Sequence, residues 1–256
     1  MLRRSLSAAV IGFAISLAGA ASPAFSAGIK NIVIVHGAFA DGSGWRKVSD
    51  LLTTKGYNVS VVQQPLTSLQ EDVAATRRVL ALQDGPTVLV GHSYGGMVVT
   101  EAGNDGKVAA LVYVAAFQPE KGESLVKLAE SKPVPNADPG AIKATQDGYL
   151  YLDPKAFPAA FAADLPKADA EFLSRSQVFA AKAAFTAEAG EPAWKVKPSW
   201  ALIATQDRSI NPDLERDMAR RAASRVHEVA ASHAVYASQP DAVAATIIEA
   251  AEAAVR

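Results

Sequence analysis

With 256 residues, half of them apolar, and a formal net charge of −1, the chain can bury one large core and carries too little charge to imply a nucleic-acid partner or strong electrostatic attachment to a membrane. It contains no cysteine, which excludes a thiol nucleophile, a thiolate metal site and disulfide stapling. No His-Glu-x-x-His or comparable ligand cluster occurs, so no metal is expected.

The N-terminus reads as an export signal. Met1-Leu2-Arg3-Arg4 is a short basic start, Ala8 to Ala20 is an apolar stretch of 13 residues, and Ala24-Phe25-Ser26 places small residues where a signal peptidase needs them. Cleavage before Ala27 leaves 230 residues with 23 basic and 26 acidic side chains, a net charge of −3. The apolar stretch is short for a bilayer span, and Arg3-Arg4 lacks the rest of a twin-arginine motif. The expected location is therefore a bacterial periplasm or the exterior.

Beyond residue 26, strand and helix patterns alternate. Asn31-Ile32-Val33-Ile34-Val35 predicts a strand and His36-Gly37-Ala38-Phe39 a loop, followed by a helix near Trp45 to Lys55 and a strand over 58–62. Leu69, Val73, Thr76 and Leu80 recur at helical spacing until Gly85-Pro86 ends the run. Thr87-Val88-Leu89-Val90 is an apolar, partly β-branched run that leads into Gly91-His92-Ser93-Tyr94-Gly95 and then a helix; Val108 to Ala115 is the next strand. The alternation predicts an α/β fold with a doubly wound, mostly parallel sheet and right-handed crossovers.

From about Gly122 to Lys197 the pattern changes. Pro133, Pro135 and Pro139 break the chain, and Ala-rich segments carry Phe157, Phe161, Phe172, Phe179 and Phe185. Residues 122–197 are expected to form a helical cap inserted into a core made of 27–121 and 198–256. A cap lines the cleft with some of its aromatics, and Phe161 and Phe179 are the candidates, with Phe39 opposite. The core resumes with a strand over 199–205, Gln206-Asp207-Arg208, a helix from Pro212 to Ala223, an alternating strand around His227, and an Ala-rich helix starting near Pro240.

Strand, Gly-x-Ser-x-Gly, helix is the context of a nucleophile elbow, in which the serine occupies a strained turn above a helix N-terminus. Ser93 is the candidate nucleophile. A serine hydroxyl needs a base, and the base an orienting acid. Of the four histidines, His36 precedes the elbow and is read as a brace for its loop. His92 lies within the elbow with its side chain pointing away from the nucleophile, and His227 lies in a strand. His233, in the loop after the last strand, is the candidate base. Asp207, at the end of the preceding strand, is the candidate acid. Asp213, Asp217 and Asp241 fit helix positions, and Glu120, after an earlier strand, is the outside alternative. The oxyanion donors are expected from the backbone N–H of Tyr94 and of Ala38, with Phe39 as the alternative to Ala38.

These segments together resemble the α/β-hydrolase superfamily, in particular the small cap-bearing serine esterases related to plant methyl-ester esterases and hydroxynitrile lyases. The likeness rests on His36-Gly37-Ala38-Phe39 through Gly44-Trp45, the elbow, Tyr113 to Phe117, Gln206-Asp207-Arg208 and Ser232-His233. It implies a cofactor-free hydrolase whose catalytic residues are Ser93, Asp207 and His233, acting on a small-molecule ester. The lyases carry a threonine where Gly37 stands and a lysine where Ala234 stands, so their absence points to hydrolysis. Relatives that open epoxides or remove halide use aspartate where this chain has Ser93. A lactonase with the same triad, or a ligand-binding protein on a hydrolase scaffold, remains open at this level.

Overall fold

The computed structural model describes residues 28–254, so the expected export signal lies outside the described residues. The chain runs β1 (Asn31–Val35), α1 (Arg46–Thr54), β2 (Asn58–Val62), α2 (Leu69–Ala81), β3 (Thr87–Ser93), α3 (Gly95–Ala102) and β4 (Val108–Ala116) before the inserted segment. That segment holds α4 (Leu125–Ser131), β5 (Ile142–Ala144), β6 (Tyr149–Leu152), α5 (Phe157–Ala160), α6 (Lys167–Arg175), β7 (Ala180–Ala181) and α7 (Lys182–Thr186). The core then resumes with β8 (Ser199–Ala204), α8 (Pro212–Arg221), β9 (Arg225–Val229), α9 (Val235–Ser238) and α10 (Pro240–Ala253).

Six of the strands form one parallel sheet in the order β2-β1-β3-β4-β8-β9. β1, β3 and β8 are buried at every position and β4 at all but one. That burial explains their continuous apolar runs, because helices cover both faces of such a sheet. α2 shows how local signals set the elements. Ser68 caps it by accepting from the Glu71 N–H at 3.2 Å, Glu71 and Asp72 fill its first turn, and Arg78 its last. The fold is the expected doubly wound α/β arrangement, and the candidate site residues cluster at the C-terminal ends of the parallel strands, where such sheets bind ligands.

The inserted segment carries helices and, in addition, a three-stranded antiparallel sheet β5-β6-β7. Its hairpin has a physical cause in Asp147-Gly148: Gly148 adopts φ +87°, and the Thr145 N–H donates to the Tyr149 carbonyl at 2.7 Å to close the turn. Among the described residues no helix is long and apolar enough to cross a membrane.

Candidate active site

Ser93 ends β3 with φ +53°, a left-handed conformation that a non-glycine residue adopts at a cost of order 1–3 kcal/mol. Its neighbours allow this. A Cβ on Gly91 would come within 2.7 Å of the Gly95 carbonyl oxygen, and one on Gly95 within 2.6 Å of the Val35 oxygen. The chain can therefore turn from β3 into α3 only with glycine at both places.

Asp207 follows β8, and its Oδ2 lies 2.6 Å from His233 Nδ1, with both side chains fully buried. The other carboxylate oxygen, Oδ1, accepts from the N–H groups of Ser209 at 2.6 Å and Ile210 at 3.0 Å. The two oxygens thus have separate tasks: one holds the loop that begins α8, the other holds the imidazole. Glu120 is placed elsewhere, paired with Lys195 at 2.6 Å. Asp213 and Asp217 are surface partners of arginines in α8, and His227 pairs with Glu249 at 2.8 Å.

The His36-Phe39 loop passes beside the elbow. His36 Nδ1 donates to the Gly37 carbonyl at 2.8 Å and its Nε2 accepts from the Gln64 N–H at 3.2 Å. Burial holds its pKa below the ordinary histidine value, which keeps the ring in the neutral state that this donor–acceptor pattern needs. A Cβ on Gly37 would stand 2.7 Å from Ser93 Cβ and 2.8 Å from His92 Nδ1, so the loop lies directly against the Ser93 side chain. Phe39 takes φ +61°, and Ala38 and Tyr94 both face the same cavity as Ser93.

That cavity, of about 290 Å³, brings together Ser93, His233, Ala38, Phe39, Tyr94 and Phe161. Its wall is mostly apolar; Phe117, Leu125, Leu152, Phe185, Ile210 and Leu214 contribute, and Lys132, Asp138, Arg208, Ser209 and Asn211 add polar or charged lining. Phe161, almost fully buried, sits edge-on to His233 with ring centroids 4.7 Å apart. Phe179 does not line the cavity. It stacks on Tyr151 at 5.0 Å and is 42% exposed.

Three further residues belong to this region. The His92 ring lies 4.6 Å from that of His233, and its Nε2 donates to the His233 backbone carbonyl at 3.0 Å. Pointing away from Ser93, as the sequence suggests, this side chain packs against His233. Burial depresses its pKa strongly, with the neighbouring His233 adding to the effect, so the ring stays neutral. Glu215, on the buried face of α8, has its pKa raised well above the usual carboxylate range, first by burial and then by the charge of Asp207. Asp164, from the inserted segment, accepts from the Ser232 N–H at 3.0 Å and from the Ser232 hydroxyl. The Ala234 N–H donates to the Phe161 carbonyl at 2.8 Å. Cap and histidine loop are thereby fastened on both sides of His233. Spacing could have flagged Glu215, which falls beside Leu214 and three residues before Met218 on an apolar stripe. The contacts of His92 and Asp164 join distant parts of the chain and leave no local mark.

Residues 32–246 match the alpha/beta hydrolase family. The carbendazim hydrolyzing esterase of Nocardioides sp. (strain SG-4G) is 34% identical over 139 residues, 48% of this chain and 54% of that protein. Salicylic acid-binding protein 2 of Nicotiana tabacum is 31% identical over 114 residues, 36% of this chain and 41% of that one. The chain thus spans about half the length of the curated relatives it matches. Among solved structures, a pyrethroid hydrolase from Sphingobium faniae JZ-2 superposes with a TM-score of 0.75 at 21% identity, covering 88% of this chain and 98% of that one. Polyneuridine aldehyde esterase superposes with a TM-score of 0.73 at 18% identity, covering 86% and 98%. At these identities the structural likeness is one of fold.

Proposed function

Because the chain belongs to the alpha/beta hydrolase family, we propose that it is a serine hydrolase of small to medium, mostly apolar carboxylic esters, working through an acyl-enzyme. The observation that carries the reading is a strained serine sharing an apolar cavity with a histidine that is bonded to a buried aspartate. Two curated relatives share 34% and 31% identity with parts of this chain, and one is named an esterase.

In this reading Asp207 accepts the Nδ1–H of His233, which leaves Nε2 unprotonated and turned to Ser93. His233 takes the hydroxyl proton as Ser93 Oγ attacks the ester carbonyl carbon. The N–H groups of Tyr94 and Ala38 receive the developing oxyanion, helped by the N-terminal end of α3. The intermediate collapses, the C–O bond to the alcohol breaks, and His233 returns the proton to the departing oxygen. Water, deprotonated by His233, then attacks the acyl-serine, and the acid leaves. Phe161 packs edge-on against the base, and Phe39, Phe161 and Phe185 supply apolar surface to the acyl or alcohol portion. The leader read from residues 1–26 fits an enzyme that meets its esters outside the cytoplasm.

A p-nitrophenyl ester series tests the reading. Each methylene buried is worth roughly 0.8 kcal/mol, about fourfold in specificity. The ratio kcat/KM should rise from acetate to butyrate or hexanoate and then fall as the cavity fills, with chelators having no effect. Mandelonitrile should release no cyanide above background, since the space a threonine side chain would need at Gly37 is taken by Ser93 and His92. Cyanide release without ester hydrolysis would overturn the assignment.

A further inference from the structure

Asp72 is an acid in the wrong place for an ordinary helix. It lies on α2 in the same stripe as Leu69, Val73 and Thr76, and it is fully buried. An unpaired carboxylate there would cost several kcal/mol, and an apolar side chain of similar size would ordinarily serve the core better. Both of its oxygens are used. Oδ2 accepts from the hydroxyl of Tyr94 at 2.7 Å, and Oδ1 from the N–H of Leu66 at 2.8 Å. Leu66 itself has φ +55°, and its carbonyl accepts from the N–H of Ala181 in β7, at 2.8 Å. Tyr94 is fully buried, and Phe185 of α7 packs against its ring at 5.7 Å. One carboxylate therefore ties together α2, the residue after the serine and the loop on which the cap rests.

We propose that Asp72 is a positioning residue for catalysis, holding the Tyr94 ring so that the Tyr94 backbone N–H stays aimed at the developing oxyanion. This inference rests on the reading of Tyr94 as an oxyanion donor. The peptide N–H of Tyr94 belongs to the turn between β3 and α3, where Tyr94 has φ −54° and ψ −32°. Small rotations there swing the N–H out of line, and a ring pinned at its far end by a charge-assisted bond opposes them. Burial pushes the Asp72 carboxyl up to about 6, against the pull of the Tyr94 hydroxyl and the Leu66 N–H. A neutral acid can keep both links, accepting from Leu66 through its carbonyl oxygen and donating to the Tyr94 oxygen. An asparagine can do the same with its own oxygen and NH₂ group.

Three variants test this, each measured for kcat, for KM, and for Ki of a trifluoromethyl ketone, which adds the serine oxygen and leaves an oxyanion in the donor site. Tyr94→Phe deletes only the hydroxyl. The double variant Asp72→Leu with Tyr94→Phe removes both ends of the ring link and leaves the Leu66 N–H unpaired, so its folding is checked alongside. Asp72→Asn keeps the connection. Loss of one oxyanion donor outright costs on the order of 10²–10³ in kcat, and a misaimed one about tenfold. The expected result is a fall of about tenfold in kcat and an equal rise in Ki for Tyr94→Phe and the double variant. KM should stay within about twofold, and Asp72→Asn should remain within about threefold of wild type. Wild-type kcat and Ki in folded Tyr94→Phe or in the double variant would overturn the proposal, and so would a loss confined to KM. Failure of the underlying reading looks different: the wild-type protein would neither hydrolyse esters nor react with a fluorophosphonate.

Discussion

Ser93, Asp207 and His233 stand about 114 and 26 residues apart in sequence at their closest spacings to one another, yet each carries a local signature: a Gly-x-Ser-x-Gly turn, a strand-end acid, a loop histidine. As candidates these can be read from the sequence because the turns that present them depend on short-range sterics. What escaped was the set of buried polar neighbours. Asp72 and Glu71 look alike as first-turn acids, but Asp72 shares the apolar stripe of α2, and only packing reveals that Tyr94 waits there. Glu215 is a comparable case with a consequence in pH. Burial and the Asp207 charge raise its pKa, so the folded protein holds this proton more tightly than the unfolded chain does. Its contribution to stability is complete below the ordinary glutamate pKa and is lost as pH climbs through the raised folded value. Glu215→Gln cannot ionise. It should melt close to wild type at pH 5 and above wild type at pH 9, with kcat within about threefold, as read by thermal melts and esterase assays across that range. A gap in melting temperature that does not change with pH would mean that Glu215 is not held neutral.

Among the elements, the inserted segment was the hardest to read. Its helices follow from Ala-rich runs, whereas β5 and β6 are only three and four residues long and depend on the Asp147-Gly148 turn to pair. Its aromatics divide according to burial. Phe161 is 2% exposed and touches His92, His233 and Phe157, whereas Phe179 is 42% exposed and touches Tyr151. Phe161→Ala should therefore cost about 3–5 kcal/mol of stability and flatten the acyl-chain profile. Phe179→Ala should leave both within experimental error. Denaturant titrations paired with the p-nitrophenyl series check the two together, and equal effects of the two changes would refute this division. The fastening between cap and histidine loop gives a second expectation. Asp164→Ala removes the acceptor of two Ser232 bonds, worth about 1–3 kcal/mol together. It should speed hydrogen exchange in residues 230–236 while exchange in β1 and β3 stays slow.

At the scale of the whole molecule, the all-parallel sheet was legible from its alternation because buried strands need continuous apolar runs and the crossovers between them need helices. β9 is the exception in character. It lies at the edge, is mostly exposed, and was visible only as an alternation around His227. The neighbourhood of β4 and β8, separated in sequence by the inserted segment, follows from right-handed winding. That one junction sets the site, since the loop after β8 carries Asp207 and the cap enters after β4. The central claim, that this arrangement makes Ser93 the nucleophile of an ester hydrolase, is tested most directly by a fluorophosphonate followed by mass analysis of the labelled peptides. The account predicts one phosphonylated residue, Ser93, in the wild-type protein. It also predicts no labelling of folded Ser93→Ala, whose ester turnover should be lower by about 10⁴ or more. Label on another residue, or full hydrolysis by Ser93→Ala, would contradict it.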